Sequence, residues 1–217
     1  MDVFEAMKNR HSCRAFIDRP VERETIEDLL RLAGLAPSAI NLQPWECTVV
    51  LGDELRRLGR GLHKTLKERQ ATCGPEERKP LPEVFGRRMS EAGRIMGPLL
   101  AEMGTDIPTF VNQGTLDFYG APAGLIFYID AAHPDRRLVD AGIILGFLFL
   151  AAQALGLATC PIGLITQYAD QIFDFLNIPA DKVMALGVAV GYPDESAPIN
   201  RVVTSRAPLD EWVKWYC

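Results

Sequence analysis

Residues 141–165, AGIILGFLFLAAQALGLATCPIGLI, run for 25 positions without a charge, and only Gln153 and Thr159 bring a hydrogen-bonding side chain. A stretch this apolar must be covered by a bilayer, by the protein's own core or by a second subunit. Gly142 and Gly146 stand at the spacing that lets two helices approach closely. Three features favour a protein interior. Gly156, Cys160-Pro161 and Gly163 break the run, so the helix is expected to end near Leu155 and to leave a turn and an extended segment. From Asp140 that helix has roughly 16 residues and a length of about 24 Å, short of a hydrocarbon core of about 30 Å. The run stands alone, without a Trp or Tyr belt and without a basic cluster after it. The expectation is a helix apolar on all sides, buried in a core or a subunit interface, and no membrane span.

The remaining composition fits an enzyme-sized domain. A chain of 217 residues can bury most of its apolar surface as one domain. A net charge of −5 argues against a nucleic-acid-binding surface and leaves room for a local basic pocket. The first ten residues, MDVFEAMKNR, lack the apolar segment of a secretion signal. Five cysteines, Cys13, Cys47, Cys73, Cys160 and Cys217, are far apart and never form C-x-x-C, as expected of reduced thiols in a cytoplasmic protein. The three histidines, His11, His63 and His133, offer neither H-E-x-x-H nor H-x-H, so no metal site is expected.

Asp2 is placed to cap a short helix with Val3, Phe4 and Met7 on one face. If residues 10–16 (RHSCRAF) are extended, alternation projects Arg10, Ser12 and Arg14 together and His11 and Cys13 the other way. Two guanidiniums flanking a hydroxyl suit a phosphate or another delocalised anion, because Arg offers fixed forked donors. A solvated basic strand fits the same spacing. Ile26, Leu29, Leu30 and Ala33 keep helical period until Gly34 and Pro37 stop it. The loop 36–45, APSAINLQPW, then presents a hydroxyl, two carboxamides and an indole. Carboxamides both donate and accept, which suits a planar heterocycle with alternating imide N–H and C=O groups. In the competing reading Asn41 and Gln43 satisfy the loop's own backbone.

Residues 46–51, 124–130 and 183–192 are rich in β-branched and aromatic side chains and are expected as strands. Residues 53–69 read as a charged surface helix, and Gly59-x-Gly61 inside it lacks the strand-turn and third glycine of a dinucleotide fingerprint. Between 64 and 118 the chain becomes polar and proline-broken, then amphipathic over 82–103, with Phe110, Phe118 and Tyr119 following. A helical excursion or lid on a single domain is expected there. Residues 209–216 (LDEWVKWY) read as a terminal helix or arm.

Five motifs stand in order. They are Arg10-His11-Ser12-x-Arg14, then Pro37-Ser38-x-x-Asn41-x-Gln43-Pro44-Trp45, then Asp140-Ala141-Gly142 with the long helix running into Gly156-Leu157-x-Thr159-Cys160. Gly187 to Tyr192-Pro193 and Ser205-Arg206-x-Pro208-Leu209 complete the set. In this order and at these separations the chain resembles the FMN-dependent nitroreductase family over residues 1–63 and 119–217. The resemblance implies an α+β fold, a mixed and mostly antiparallel sheet surrounded by helices, in an intertwined homodimer with the long helix at the interface and two FMN sites between subunits. By matched position it puts Arg10, Ser12 and Arg206 on the FMN phosphate with His11 beside them, and Arg14 near flavin N1 and the C2 carbonyl. Pro37, Ser38, Asn41 and Gln43 would approach from the partner chain, and Pro161, Ile162 and Gly163 would lie near N5 through their backbones. Ala39 and Ile40 occupy positions where a glycine is frequent, and Thr204 one where some members carry a phosphate-binding Lys.

The chemistry so implied needs no catalytic side chain. NADH or NADPH would deliver hydride to the flavin and leave, and a small electron-poor acceptor, a nitroaromatic or quinone, would take its place in a ping-pong scheme. The same resemblance admits dehalogenation, enone reduction or flavin cleavage. A flavin-binding carrier or sensor is the non-enzymatic alternative.

Overall fold

A computed structural model describes residues 1–69 and 82–216. The proline-broken stretch 70–81, with Cys73, and the terminal Cys217 lie outside the described residues. Along the chain run α1 (Val3–Asn9), α2 (Arg23–Ala33), β1 (Trp45–Leu51), α3 (Gly52–Arg69), α4 (Glu83–Glu102), α5 (Ile107–Leu116), β2 (Ala123–Asp130), α6 (Leu138–Ala154), β3 (Ala158–Ile162), α7 (Ala169–Leu176) and β4 (Lys182–Gly191). The strands lie in the order β1-β2-β4-β3 with every pairing antiparallel. A parallel component enters through an isolated bridge between Ser12 and Thr159. The three expected strands are present, and the extended piece after Gly156 supplies the fourth.

β2 is hydrogen-bonded on both edges, and its side chains alternate between two cores. Leu125 and Phe127 pack with Val188 and Val190 of β4 against Ile26 and Leu29 of α2 and Ile144 and Leu148 of α6. Ile126 and Tyr128 face Leu58 and Leu62 of α3 and Ile172 and Phe173 of α7. A strand apolar on both faces requires cover on both, so the sheet lies between two helical layers. Gly59 and Gly61 fall inside α3, away from any strand-to-helix turn.

α6 ends where the sequence breaks. Gly156 takes φ 71°, its N–H bonds to the Gln153 carbonyl at 3.1 Å, and the Leu157 N–H bonds to the Ala152 carbonyl at 2.8 Å. This is a Schellman turn, and its left-handed position suits a residue without a Cβ. Within its own protomer α6 is covered along one side. Ala141, Ile144, Leu145, Leu148 and Ala152 are buried, but Val139 is 64% and Phe147 42% exposed, with Gly142 and Gly146 open beside them. The segment Asp135–Ala154 is apolar and long enough by composition to cross a membrane, and 33% of its apolar window is buried within the protomer.

At the N-terminus a reciprocal capping box forms, with Glu5 N–H to Asp2 Oδ1 at 2.8 Å and Asp2 N–H to Glu5 Oε2 at 3.0 Å. The Val3, Phe4 and Met7 face of α1 is exposed. The C-terminal residues form an arm with one short turn, Leu209–Glu211, and no terminal helix, leaving Trp212, Trp215 and Tyr216 exposed.

Asp140 ties the 36–45 loop to this frame. Its Oδ1 accepts from the Ala39 N–H at 3.1 Å and its Oδ2 from Arg137 Nη1 at 3.0 Å. These donors, the backbone one foremost, hold the carboxyl below the usual carboxylate range. A depressed folded pKa contributes stability that is present above the unfolded value and is lost as pH falls through the folded one. Asp140→Asn is expected to lower stability in urea melts at neutral pH, and its gap from the parent should shrink once pH drops below about 4. A gap unchanged over that pH range would sink this account.

Candidate functional site

Arg10, His11, Ser12, Arg14 and Arg206 border one cavity of about 540 Å³. Lys8, Asn9 and Thr204 complete its polar lining, so among the described residues it gathers four cationic side chains and no carboxylate. The pKa of Arg10 is pulled down, first by burial and then by the neighbouring Arg206 guanidinium. Like charges are thus held together with no protein anion between them, an arrangement suited to an external anion such as a phosphate monoester. Arg206 is folded onto its own segment, with Nη1 donating to the Thr204 carbonyl at 2.9 Å, Thr204 Oγ1 at 2.8 Å and the Ser205 carbonyl at 2.9 Å. Thr204, where some family members carry a Lys, therefore anchors an existing cation instead of adding one. His11 Nδ1 lies 3.0 Å from the Asn9 carbonyl.

The segment bearing Arg10, Ser12 and Arg14 is fixed from three sides. Ser12 bridges to Thr159, and the Cys13 N–H bonds to the Thr159 carbonyl at 3.0 Å. Cys13 turns into the core, as alternation requires. Asn200 clamps the far end: its Oδ1 accepts from the Arg14 N–H at 2.8 Å, and its Nδ2 donates to the carbonyls of Ala15 at 2.8 Å and Asp194 at 2.9 Å. Sequence reasoning missed Asn200. Its one signal is a lone carboxamide in the otherwise apolar context of 197–200 (APIN).

Pro161, Ile162 and Gly163, at the end of β3, border a second cavity of about 320 Å³ together with Arg14, Thr115, Tyr119 and the α4–α5 residues Met89, Gly93, Met96, Ile107 and Val111. Arg14 borders both cavities and joins them. Tyr119 was also missed as a site residue. It follows Phe118 in left-handed backbone, at φ 53° and 51° respectively, a conformation that a non-glycine residue holds only when its surroundings enforce it. Its ring lies on Gly114, where a Cβ would overlap it, and 5.6 Å from the Phe110 ring. Burial raises the pKa of its phenol, and the nearby Arg14 guanidinium opposes that rise.

Pro37, Ser38, Asn41 and Gln43 border neither cavity of their own protomer. The Gln43 N–H bonds to Ser38 Oγ at 2.9 Å, and Gln43 Nε2 to the Asn41 carbonyl at 3.1 Å. Within the protomer Gln43 thus serves its own loop, the competing reading from sequence. Ile40, Asn41 and Gln43 all have positive φ, 51°, 57° and 49°. Cys13, Cys47 and Cys160 are free thiols. Burial pushes Cys160 up to about 11 and Cys47 up to about 12, and raises Cys13 as well. They are protonated near neutrality and offer no nucleophile. Among the described residues no cluster of three His, Cys, Asp or Glu side chains could hold a metal ion.

The nitroreductase family model matches residues 7–192. The chain belongs to the nitroreductase family. It is 34% identical over 212 residues to nitroreductase NfnB of Mycolicibacterium smegmatis, across 96% of this chain and 90% of that one. It is 32% identical over 225 residues to 4-nitrobenzoate reductase of Nocardioides sp. (strain LMS-CY), across 98% and 90%. Among solved structures it superposes on the FMN and NADPH-dependent nitroreductase NfnB of Sphigopyxis sp. strain HMH with a TM-score of 0.89 at 28% identity, covering 100% of each chain. The α+β architecture is the nitroreductase fold, and it brings the first and last of the five motifs to one cavity.

Proposed function

We propose that this nitroreductase-family protein is an FMN-dependent oxidoreductase that carries electrons from NADH or NADPH to a small electron-poor acceptor, a nitroaromatic or quinone, by a ping-pong scheme. The observation that carries the reading is a cavity of four cations with no carboxylate among the described residues, sharing Arg14 with the cavity beside residues 161–163. The donor set fits FMN. Arg10, Ser12 and Arg206 would hold its phosphate with His11 beside them, Arg14 would face its N1 and C2 carbonyl side, and the backbones of Pro161, Ile162 and Gly163 would line its N5 side. Bound FMN supplies the two-electron redox chemistry, and the protein supplies position and charge. Arg14, which lines the cavity with Tyr119, would stabilise the negative charge that a flavin's pyrimidine ring gains on reduction. The relatives named for nitrobenzoate reduction support a nitro acceptor.

The assembly we propose is a cytoplasmic homodimer. The open stripe of α6, Val139, Gly142, Gly146 and Phe147, lets the same helix of a second copy approach closely. Pro37, Ser38, Asn41 and Gln43 then reach the flavin held by the partner. Free, protonated thiols suit a reducing compartment. Within the expected lid, α4 and α5 form the acceptor-facing wall of the Pro161 cavity.

Purified protein is expected to be yellow, to release about one FMN per chain on denaturation, to bleach on anaerobic addition of NADH or NADPH, and to sediment as a dimer. A colourless protein that cannot be loaded with FMN would overturn the reading, and a monomeric flavin-loaded protein would overturn the assembly. Arg14→Ala is expected to lower the flavin's reduction potential and slow its reduction by NAD(P)H; an unchanged potential in the folded, loaded variant would refute the charge argument. Met89→Ala should change the relative kcat/KM of bulky and small acceptors while FMN retention stays at the parent level. Loss of FMN and dimer together would instead place α4 in the core.

A further inference from the structure

A third cavity, of about 520 Å³, lies beyond Arg206 between α4 and the C-terminal arm. Arg87 and Arg88 of α4 both turn to one carboxylate of the arm: Glu211 Oε2 accepts from Arg88 Nη2 at 2.9 Å, and Arg87 Nη2 lies 3.4 Å from both Glu211 oxygens. Arg206 adds a third guanidinium to the lining. The other carboxylate there, Glu91, accepts from the Ser205 hydroxyl at 2.8 Å and faces neither Arg87 nor Arg88 in an ion pair. Two guanidiniums therefore share one singly charged partner. With the Arg87 side chain 66% exposed, that pairing is solvent-screened and weak.

A dianionic phosphate monoester, with three acceptor oxygens, fits two guanidinium forks better than one carboxylate does. Beside the pair stands Trp212, an exposed indole that also lines the cavity and offers a flat apolar face for a base. The cavity meets the Pro161 cavity at one residue of α4. Ala92 borders both, Met89 and Gly93 facing one and Arg88 the other. A dinucleotide whose reactive end lies at residues 161–163 and which crosses α4 at Ala92 brings its adenosine end to Arg87 and Arg88.

We propose that this cavity reads the 2′-phosphate of NADPH: Arg87 and Arg88 take the phosphate, Trp212 stacks the adenine, and Glu211 holds the phosphate position until the dinucleotide displaces it. The identity of the dinucleotide rests on the oxidoreductase reading above; the recognition of an adenosine 2′-phosphate does not. Glu211 is thus a competitor built into the arm, and the site makes NADPH the preferred donor over NADH.

The test is calorimetric titration of the flavin-loaded protein with adenosine 2′,5′-bisphosphate and with 5′-AMP. The bisphosphate is expected to bind roughly tenfold or more tightly than 5′-AMP, the scale of a charge-assisted phosphate contact. Arg87→Gln with Arg88→Gln should abolish that difference and lower the NADPH to NADH ratio of kcat/KM by a similar factor, with FMN content unchanged. Glu211→Gln should tighten bisphosphate binding. Equal affinity of the parent for the two nucleotides, or a preference that survives in the double variant, would overturn the proposal. Weaker bisphosphate binding by Glu211→Gln would overturn it too, since the carboxylate would then order the site and not compete for it. A protein that oxidises neither NADH nor NADPH, yet discriminates the bisphosphate through Arg87 and Arg88, would overturn the oxidoreductase reading and leave this site standing.

Discussion

Positive charge gathered without a counter-ion governs how this chain is built around its site. Arg10 and Arg206 lie close enough to lower the pKa of Arg10, in a cavity that no carboxylate borders. Repulsion and partial desolvation both oppose such an arrangement, so it persists only where rigid elements impose it. The elements are identifiable: the Ser12–Thr159 bridge, the Cys13 side chain in the core, the Asn200 clamp, and the Thr204 carbonyl and hydroxyl that hold Arg206. They fix the cations without discharging them. A carboxylate in the same place would stabilise the protein and compete with an incoming phosphate, which is the relation that Glu211 has with Arg87 and Arg88 on the neighbouring surface.

Backbone strain collects in the same region of the fold. Left-handed non-glycine residues cost about 1–2 kcal/mol each and survive where their surroundings over-determine them. Phe118 is fully buried, and the Tyr119 ring packs on Gly114 and against Phe110. In the 36–45 loop the restraints are the Ser38–Gln43 bond and the Asp140 carboxylate, which fasten three positive-φ residues to the start of α6. The Asp of the Asp140-Ala141-Gly142 motif thus has a mechanical role: it couples the loop that carries Ser38, Asn41 and Gln43 to the helix that carries the open stripe.

α6 meets two different demands along one helix. Its inner face, with Ile144 and Leu148, closes the core over β2 and β4. Its outer face leaves Val139 and Phe147 in water beside two glycines that bring the backbone to the surface. Apolar area left in water forgoes about 25 cal/mol per Å², and a continuous stripe of it suits the subunit contact proposed above. A helix with polar residues outward would fold as well within the protomer and could not make that contact.

What lies close together in sequence was legible in advance. The N-cap of α1 at Asp2, the end of α6 near Leu155, the strand character of β2 and the grouping of Arg10, Ser12 and Arg14 on one extended segment all follow from rules that act over a few residues. Asn200 and Asp140 were not legible as clamps, because their partners stand 186 and 101 positions away and no local pattern connects them. Tyr119 was hidden in another way, since nothing in an aromatic pair after a turn indicates which ring will face an arginine. α6 marks the boundary most clearly. Its sequence determined that a long uncharged helix would form and where it would stop. A helix apolar all round has no intrinsic inner side, so only the packing of α2 and the sheet against it decided which stripe was buried and which was left open.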